Sequence, residues 1–368
     1  MTTDGAGLTG SLRALLLFDV AEQIDLSRLH SILGTTPSKR EPAFRHPSPE
    51  YVRYERPPVV DNIGVCETSE GQILETRIRY FDYGVASVEL QSRFGAGWPD
   101  LVQLANRWIS SPALEVRVSS LLRERLHQLK AALIKAHEAW ISEDYYVIQI
   151  NPIALDDGRL LPAEDLIRER GPQIAQIVRG EESLLSSSET QEILQSSMSY
   201  YPVDLLVVGW VAAFIYDTQH GAAPTIDLLE YANTQLLEFR YYDEVLTRVL
   251  SDVYNRLGKK RSVWARWRLA RHAEDLNTIR LDYRELSEHT DNAIKFLSDM
   301  FYARAYRLAA ARIGVNDYRD LVTEKLSTAR DLYESMINEF HQSRAFLLEL
   351  MVVIILVIEI VFLFRGKG

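Results

Sequence analysis

One cysteine, Cys66, stands in 368 residues. A single thiol forms no intrachain disulfide and no cysteine-based zinc site, so nothing in it points to an oxidising compartment. Histidine is sparse too, with eight in all at positions 30, 46, 127, 137, 220, 272, 289 and 341, and no His-Glu-x-x-His occurs. His137 precedes Glu138, but no second histidine follows at the spacing a zinc-binding helix needs. His127 and His137 lie ten apart on one expected helix, too far to share a metal. Surface or capping roles are therefore expected for the histidines. Phosphate loops are missing as well. Gly258-Lys259-Lys260-Arg261-Ser262 lacks the upstream glycine and preceding strand of a Walker turn, and Gly95-Ala96-Gly97 is too short for a dinucleotide fingerprint. No Gly-x-Ser-x-Gly elbow is present for an esterase-type nucleophile. No cofactor or metal is expected, and no catalytic residue is assigned.

Positive charge is also scarce. Lys and Arg number 41 against 51 Asp and Glu, a formal net charge of -10. Such a surface repels phosphate backbones unless cations cluster locally. The opening Met1–Gly10 is small and polar, and the run Ala14–Phe18 is too short for the apolar core of a secretory signal. Arginine repeats of a transit peptide are missing, so a cytoplasmic body is expected.

What is present is ordinary globular material, 47% hydrophobic and 25% charged, enough for two or three domains. Its longest apolar run, Ala345–Phe364, reads AFLLELMVVIILVIEIVFLF, interrupted only by Glu349 and Glu359. Twenty residues of helix reach roughly 30 Å, the hydrocarbon thickness. The expectation is a single transmembrane helix at 345–364 acting as a C-terminal anchor in membrane lipid, most simply a bacterial inner membrane. Glu359 would then be an intramembrane carboxylate at a cost on the order of 3 kcal/mol, with Glu349 nearer the edge.

Upstream, the alternation of strand and helix signals predicts an α+β class, with a ferredoxin-like arrangement as one form of it. Residues 1–152 read as a first α+β domain. Its expected strands are Leu12–Val20, Val59–Val65, Ile73–Phe81, Val85–Leu90 and Tyr145–Ile150, and its helices Trp98–Ile109 and Leu114–Trp140. Asp25 is placed to cap a short helix, and six prolines make 35–58 a mobile loop. Residues 153–258 read as a second α+β segment. Ser186 and Glu189 have capping-box spacing there, Asp204–Asp217 reads as one buried strand, and an amphipathic helix covers 225–257. Residues 259–344 read as a helical hairpin. Its second arm carries Val322, Leu326, Ala329, Tyr333, Met336, Phe340, Ser343 and Leu347 at alternating spacings of three and four, a coiled-coil seam that suits a homo-oligomer.

One constellation reverses the local sign. Arg256, Lys259, Lys260, Arg261, Arg266, Arg268 and Arg271 are interleaved with Trp264 and Trp267. Arginine grips phosphate bidentately and tryptophan suits a headgroup interface, so anionic lipid or RNA is the expected contact, against a solvated turn as the plainer reading.

Three stretches together resemble the family of proteins required for meiotic nuclear division, whose shared region is a domain of unknown function. They are Phe18-Asp19-Val20-Ala21-Glu22-Gln23-Ile24-Asp25-Leu26, Arg79-Tyr80-Phe81-Asp82-Tyr83-Gly84-Val85-Ala86, and the terminal Leu348-Glu349 with Ile358-Glu359-Ile360-Val361. The resemblance implies a membrane-tethered protein linked to translation, here a bacterial member, and brings no catalytic residues. The expected function is a membrane-anchored oligomeric scaffold or interaction protein. The alternative is a hydrolase acting on nucleic acid or nucleotides at the membrane surface.

Overall fold

A computed structural model of the chain describes residues 7–35, 57–67, 73–257, 281 and 300–365. The described residues fall into two compact units by contact density. The first comprises 1–241 with 288–318, and the second 242–287 with 319–368.

The first unit is built on an eight-stranded sheet. Its strands are β1 (Leu8–Asp19), β3 (Val59–Glu67), β4 (Ile73–Tyr80), β5 (Val85–Ala96), β7 (Ser142–Ile150), β8 (Ser197–Met198), β9 (Leu205–Val208) and β10 (Ala212–Tyr216). They lie in the order β3-β4-β5-β1-β7-β10-β9-β8. Every neighbouring pair is antiparallel except β7 with β10. A second, two-stranded sheet pairs β2 (Ala21–Ile24) with β6 (Leu133–Ala136). This order is not that of a four-stranded ferredoxin-like sheet.

β1 sits centrally, and period-two alternation divides its side chains between two covered faces. Leu12, Ala14, Leu16 and Phe18 join Ile78, Tyr80, Val88, Ile148, Phe214 and Tyr216 in the apolar core. That core is closed by α1 (Leu26–Leu33), α2 (Trp98–Ile109), α3 (Pro112–Gln128) and α4 (Ala163–Arg179). α5 (Ser187–Leu194) packs on α4. Over the opposite face runs α6 (Gln219–Leu257), against which α7 (Met300–Ile313) places Tyr306 6.0 Å from Tyr231. From Leu228 to Arg240 nearly every α6 side chain is buried, polar ones included.

Several local readings hold. α2 spans the expected residues, Asp25 caps α1 by accepting Arg28 N–H at 3.0 Å, and Ser186 caps α5 through Glu189 N–H at 3.2 Å. Others need correction. The stretch after Gln128 does not continue α3. It turns through Lys130–Ala132 into β6, because pairing with β2 outweighs the helix propensity of its alanines and leucines. The expected strand at 204–217 is two strands, since Gly209 accepts a close return of the chain and Gly209 N–H bonds Ala212 O at 2.9 Å. α4 carries Gly171 and Pro172 inside it, which obscure it when the sequence is read locally. The proline-rich loop falls almost wholly outside the described residues, as does the hairpin's first arm before Met300 apart from Leu281.

The second unit contains the end of α6 and most of α8 (Val315–Arg365), a helix of 51 residues. Seam positions Val322 and Ala329 are buried, as are Leu246 and Leu250 of α6. Lys325 Nζ reaches Asp243 Oδ1 at 2.5 Å and Thr247 Oγ1 at 2.7 Å, tying the two helices.

The expected transmembrane helix is not supported. Among the described residues no helix is long and apolar enough to cross a membrane. Residues 345–364 are not a separate segment but the end of α8, a single helix that begins at Val315. The single-pass C-terminal anchor and the membrane localisation built on it fall with that helix.

Candidate functional site

Polar side chains are concentrated on the sheet face beneath α6. Odd positions of β1 place Ser11, Arg13 and Asp19 there, and the register adds Ser87, Glu89 and Gln91 from β5 and Gln149 from β7. A covered face normally rejects charge, so each group must find a partner. Arg13 Nη1 donates to Glu89 Oε1 at 2.8 Å, and Arg77 holds the other Glu89 oxygen. Arg79 pairs with Asp227 at 2.7 Å and with Glu230, both on α6. Burial pushes Arg13 down, whereas Glu230, Asp227 and Glu89 overcome burial at Arg79 and raise it. Glu230 itself is pushed up by burial against the pull of Arg79. Arg13, Arg77 and Arg79 face Glu89, Asp227 and Glu230, so the charges balance. The ladder locks α6 onto the sheet.

A second cluster lies further along the same helix face. Residues 227, 230, 234, 238 and 241 follow three-and-four spacing, so Thr234, Glu238 and Tyr241 continue the stripe that begins with Asp227. Tyr83 OH and Thr234 Oγ1 are 2.8 Å apart. His137 Nδ1 lies 3.3 Å from Asp19 Oδ2, and the imidazole stacks on Tyr241 at 5.1 Å and 14°. The backbone fixes this placement: His137 N–H donates to Val20 O at 2.9 Å, and Asp19 N–H to Ile141 O at 3.0 Å. Glu238 is buried with its Oε1 lacking a hydrogen-bond partner among the described residues, and His137 Nε2 likewise lacks one.

The three titratable groups shift in one direction for different reasons. Burial raises Asp19 despite the favourable pull of His137. Burial raises Glu238 well above the usual carboxylate range, and the Asp19 charge adds to it. His137 is raised chiefly by Asp19, against burial. Two carboxyls and one imidazole thus hold protons more tightly than they would in water. A carboxylate at Nδ1 is the arrangement that orients an imidazole for proton transfer at Nε2.

The geometry also joins the two internal stretches of the family resemblance. Val20 N–H donates to Gly84 O at 3.1 Å, and Ile24 N–H to Asp82 O at 2.9 Å. Gly84 has φ +97°, and a Cβ there would lie 1.8 Å from Ala21 O, so only glycine permits this approach. Phe18–Leu26 and Arg79–Ala86 are therefore one spatial feature, with Asp19 and Tyr83 at its inner side.

The residues singled out from sequence lie elsewhere. Arg256 is in the last turn of α6 with its side chain outside the described residues. Lys259, Lys260, Arg261, Trp264, Arg266, Trp267, Arg268 and Arg271 also lie outside the described residues. Glu349 is exposed on α8, and the Glu359 side chain is outside the described set. Sequence reasoning missed the Asp19–His137–Glu238 cluster, and it assigned His137 a surface or capping role on a helix that does not reach it. The available signal was the aspartate that closes the apolar run Ala14–Phe18 of β1. Among the described residues no group of three or more His, Cys, Asp or Glu is arranged to hold a metal ion.

Comparison with known proteins places this geometry in a family. The family described as the N-terminal domain of the uncharacterized protein MJ0711 matches residues 9–223, which carry the whole sheet and the α6 start. The uncharacterized protein MJ0711 of Methanocaldococcus jannaschii is 21% identical over 198 residues, 54% of this chain and 61% of that protein. The match therefore spans less than two thirds of that relative's length. No solved structure matches the chain.

Proposed function

This chain belongs to the family of the MJ0711 N-terminal domain, and on that premise we propose that it is a non-enzymatic interaction protein that assembles with copies of itself through α8. One observation carries the reading. Met351, Val352, Val353, Ile354, Ile355 and Leu356 are consecutive on α8 and each 49–56% exposed, so the helix is apolar on every side there. A helix of that kind needs cover. A second copy supplies a matching helix.

Sedimentation velocity on the full chain tests this. A concentration-dependent oligomer is expected, reduced to a monomer by Val352→Glu with Ile355→Lys. A monomer in both, or an oligomer unchanged by the substitutions, defeats the proposal.

The finer resemblance to proteins required for meiotic nuclear division, as a bacterial member linked to translation, belongs to this proposal. What supports it is the meeting of its two internal motifs at Gly84. Within the same reading, the basic segment 256–271 takes an anionic partner, RNA or anionic lipid. Changing Lys259, Lys260, Arg261, Arg266 and Arg268 to glutamine should weaken binding to RNA or to anionic vesicles at least about tenfold at low salt. Unchanged binding to both reduces the segment to a solvated turn.

A second reading, a hydrolase acting on nucleic acid or nucleotides, is favoured by one observation, the carboxylate-oriented imidazole of His137. Hydrolysis of a nucleotide or phosphodiester panel by the parent, abolished by His137→Gln with the fold intact, would select it over the scaffold.

A further inference from the structure

The strand that leads into His137 is strained and lightly packed. Glycines apart, Lys135 of β6 is the one described residue with positive φ, at +50°, where a side chain crowds its own backbone. Along β6 Leu133 is half-buried while Ile134, Lys135 and Ala136 are exposed, so the strand hides little apolar surface. It is held by pairing with β2, by the Lys135–Glu22 ion pair at 2.6 Å, and by His137 at its end. His137 makes its own hold through Val20 O, Asp19 and the Tyr241 ring. It is a catch that closes a strained strand.

Beside the catch lies a buried carboxyl. Glu238 precedes Tyr241 by one turn on the same face of α6, and the Asp19 charge acts on it. Glu238 Oε1 and His137 Nε2 are buried and lack a hydrogen-bond partner among the described residues. Charges around them are matched in pairs, Glu22 by Lys135 and Glu143 by Arg240. Asp82 of the β4–β5 turn and Glu138 next to His137 are further acids, and burial keeps the Tyr83 phenol neutral. With His137 and Glu238 protonated, the cluster contains one ion pair, Asp19 with the imidazolium. With both deprotonated, two buried carboxylates face a neutral ring, and burial and repulsion act together against them. Water must then reach them, and displacing β6 admits it at little apolar cost.

We propose that residues 133–137 form a pH-operated gate, shut against Asp19 and Tyr241 by protonated His137 and opened when His137 and Glu238 lose their protons, with Lys135 relaxing to negative φ as the strand moves. Because Asp19 raises His137 and burial raises Glu238, the change belongs on the alkaline side of the ordinary imidazole value. The open gate gives Glu238 its hydration and brings His137 Nε2 to solvent.

Amide hydrogen exchange of the full chain, read by mass spectrometry at about pH 6 and about pH 9, tests this, with each rate divided by that of the same peptide unfolded. Protection over residues 133–140 should fall at least about tenfold at the higher pH, while β7 over residues 145–150 keeps its own. Glu238→Gln leaves one carboxylate in the cluster and should keep the gate protected at both pH values. His137→Ala removes the catch and should leave the gate open at both. Thermal melts verify that the two variants fold. Protection that does not change with pH, an equal response in Glu238→Gln, a fully retained response in His137→Ala, or an equal loss over β7, which marks global unfolding, overturns the proposal.

Discussion

Asp19, His137 and Glu238 come from β1, the turn after β6 and α6, and each binds its proton more tightly in the folded chain than in water. Glu22 from β2, itself bonded by Lys135, adds a negative charge facing His137, and Tyr241 and Tyr83 complete the neighbours. A group whose folded value is raised contributes stability that is full below its unfolded value and lost as pH rises through the folded one. All three act with the same sign, so the stability of the first unit should fall from the ordinary carboxylate range upward past the ordinary imidazole value. Urea midpoints at about pH 5 and about pH 8 measure this, and Glu238→Gln should flatten the slope and exceed the parent at the higher pH by about 1 kcal/mol. Equal slopes in parent and variant would remove Glu238 from the account. At Gly84 the constraint is steric instead. With φ +97° and the Ala21 carbonyl in the way, Gly84→Ala should cost at least about 3 kcal/mol by denaturant unfolding. A loss below about 1 kcal/mol would mean that the β2 turn yields easily.

Among the elements, α6 depends most on buried charge. Arg79 is largely buried and joins β4 to two α6 carboxylates. Arg79→Met leaves Glu230 buried without its cation and should destabilise by about 3–5 kcal/mol. Replacing both, Arg79→Met with Glu230→Leu, should recover much of that loss, a non-additivity that a double-mutant cycle reads directly. Additive losses would show that the pair acts independently. The same element marks how far sequence could be read. The spans of α2 and the caps at Asp25 and Ser186 were legible because their causes are local. The charge ladder was not, since Arg13, Glu89 and Glu230 lie 76 and more residues apart and only the register brings them together. β6 was hidden because its residues prefer helix when read alone. α4 was hidden by Gly171 and Pro172, and at Gly171 a Cβ would lie 2.9 Å from Leu194 Cδ1, so the residue that breaks the pattern is the one that lets α5 approach.

At the scale of the molecule, the central position of β1 has a consequence in time. β1 pairs with β5 on one side and β7 on the other, and its β7 partners reach Ile150. A chain made at about 5–20 residues per second leaves the first strand waiting on the order of ten seconds for its second neighbour. Leu12, Ala14, Leu15, Leu16, Leu17 and Phe18 are all buried in the finished sheet, so during that interval an apolar strand keeps at least one edge open. Folding of this sheet is therefore closed late, by the arrival of β7, and a nascent chain stalled before that point should be the form that chaperones hold and that aggregates when they do not.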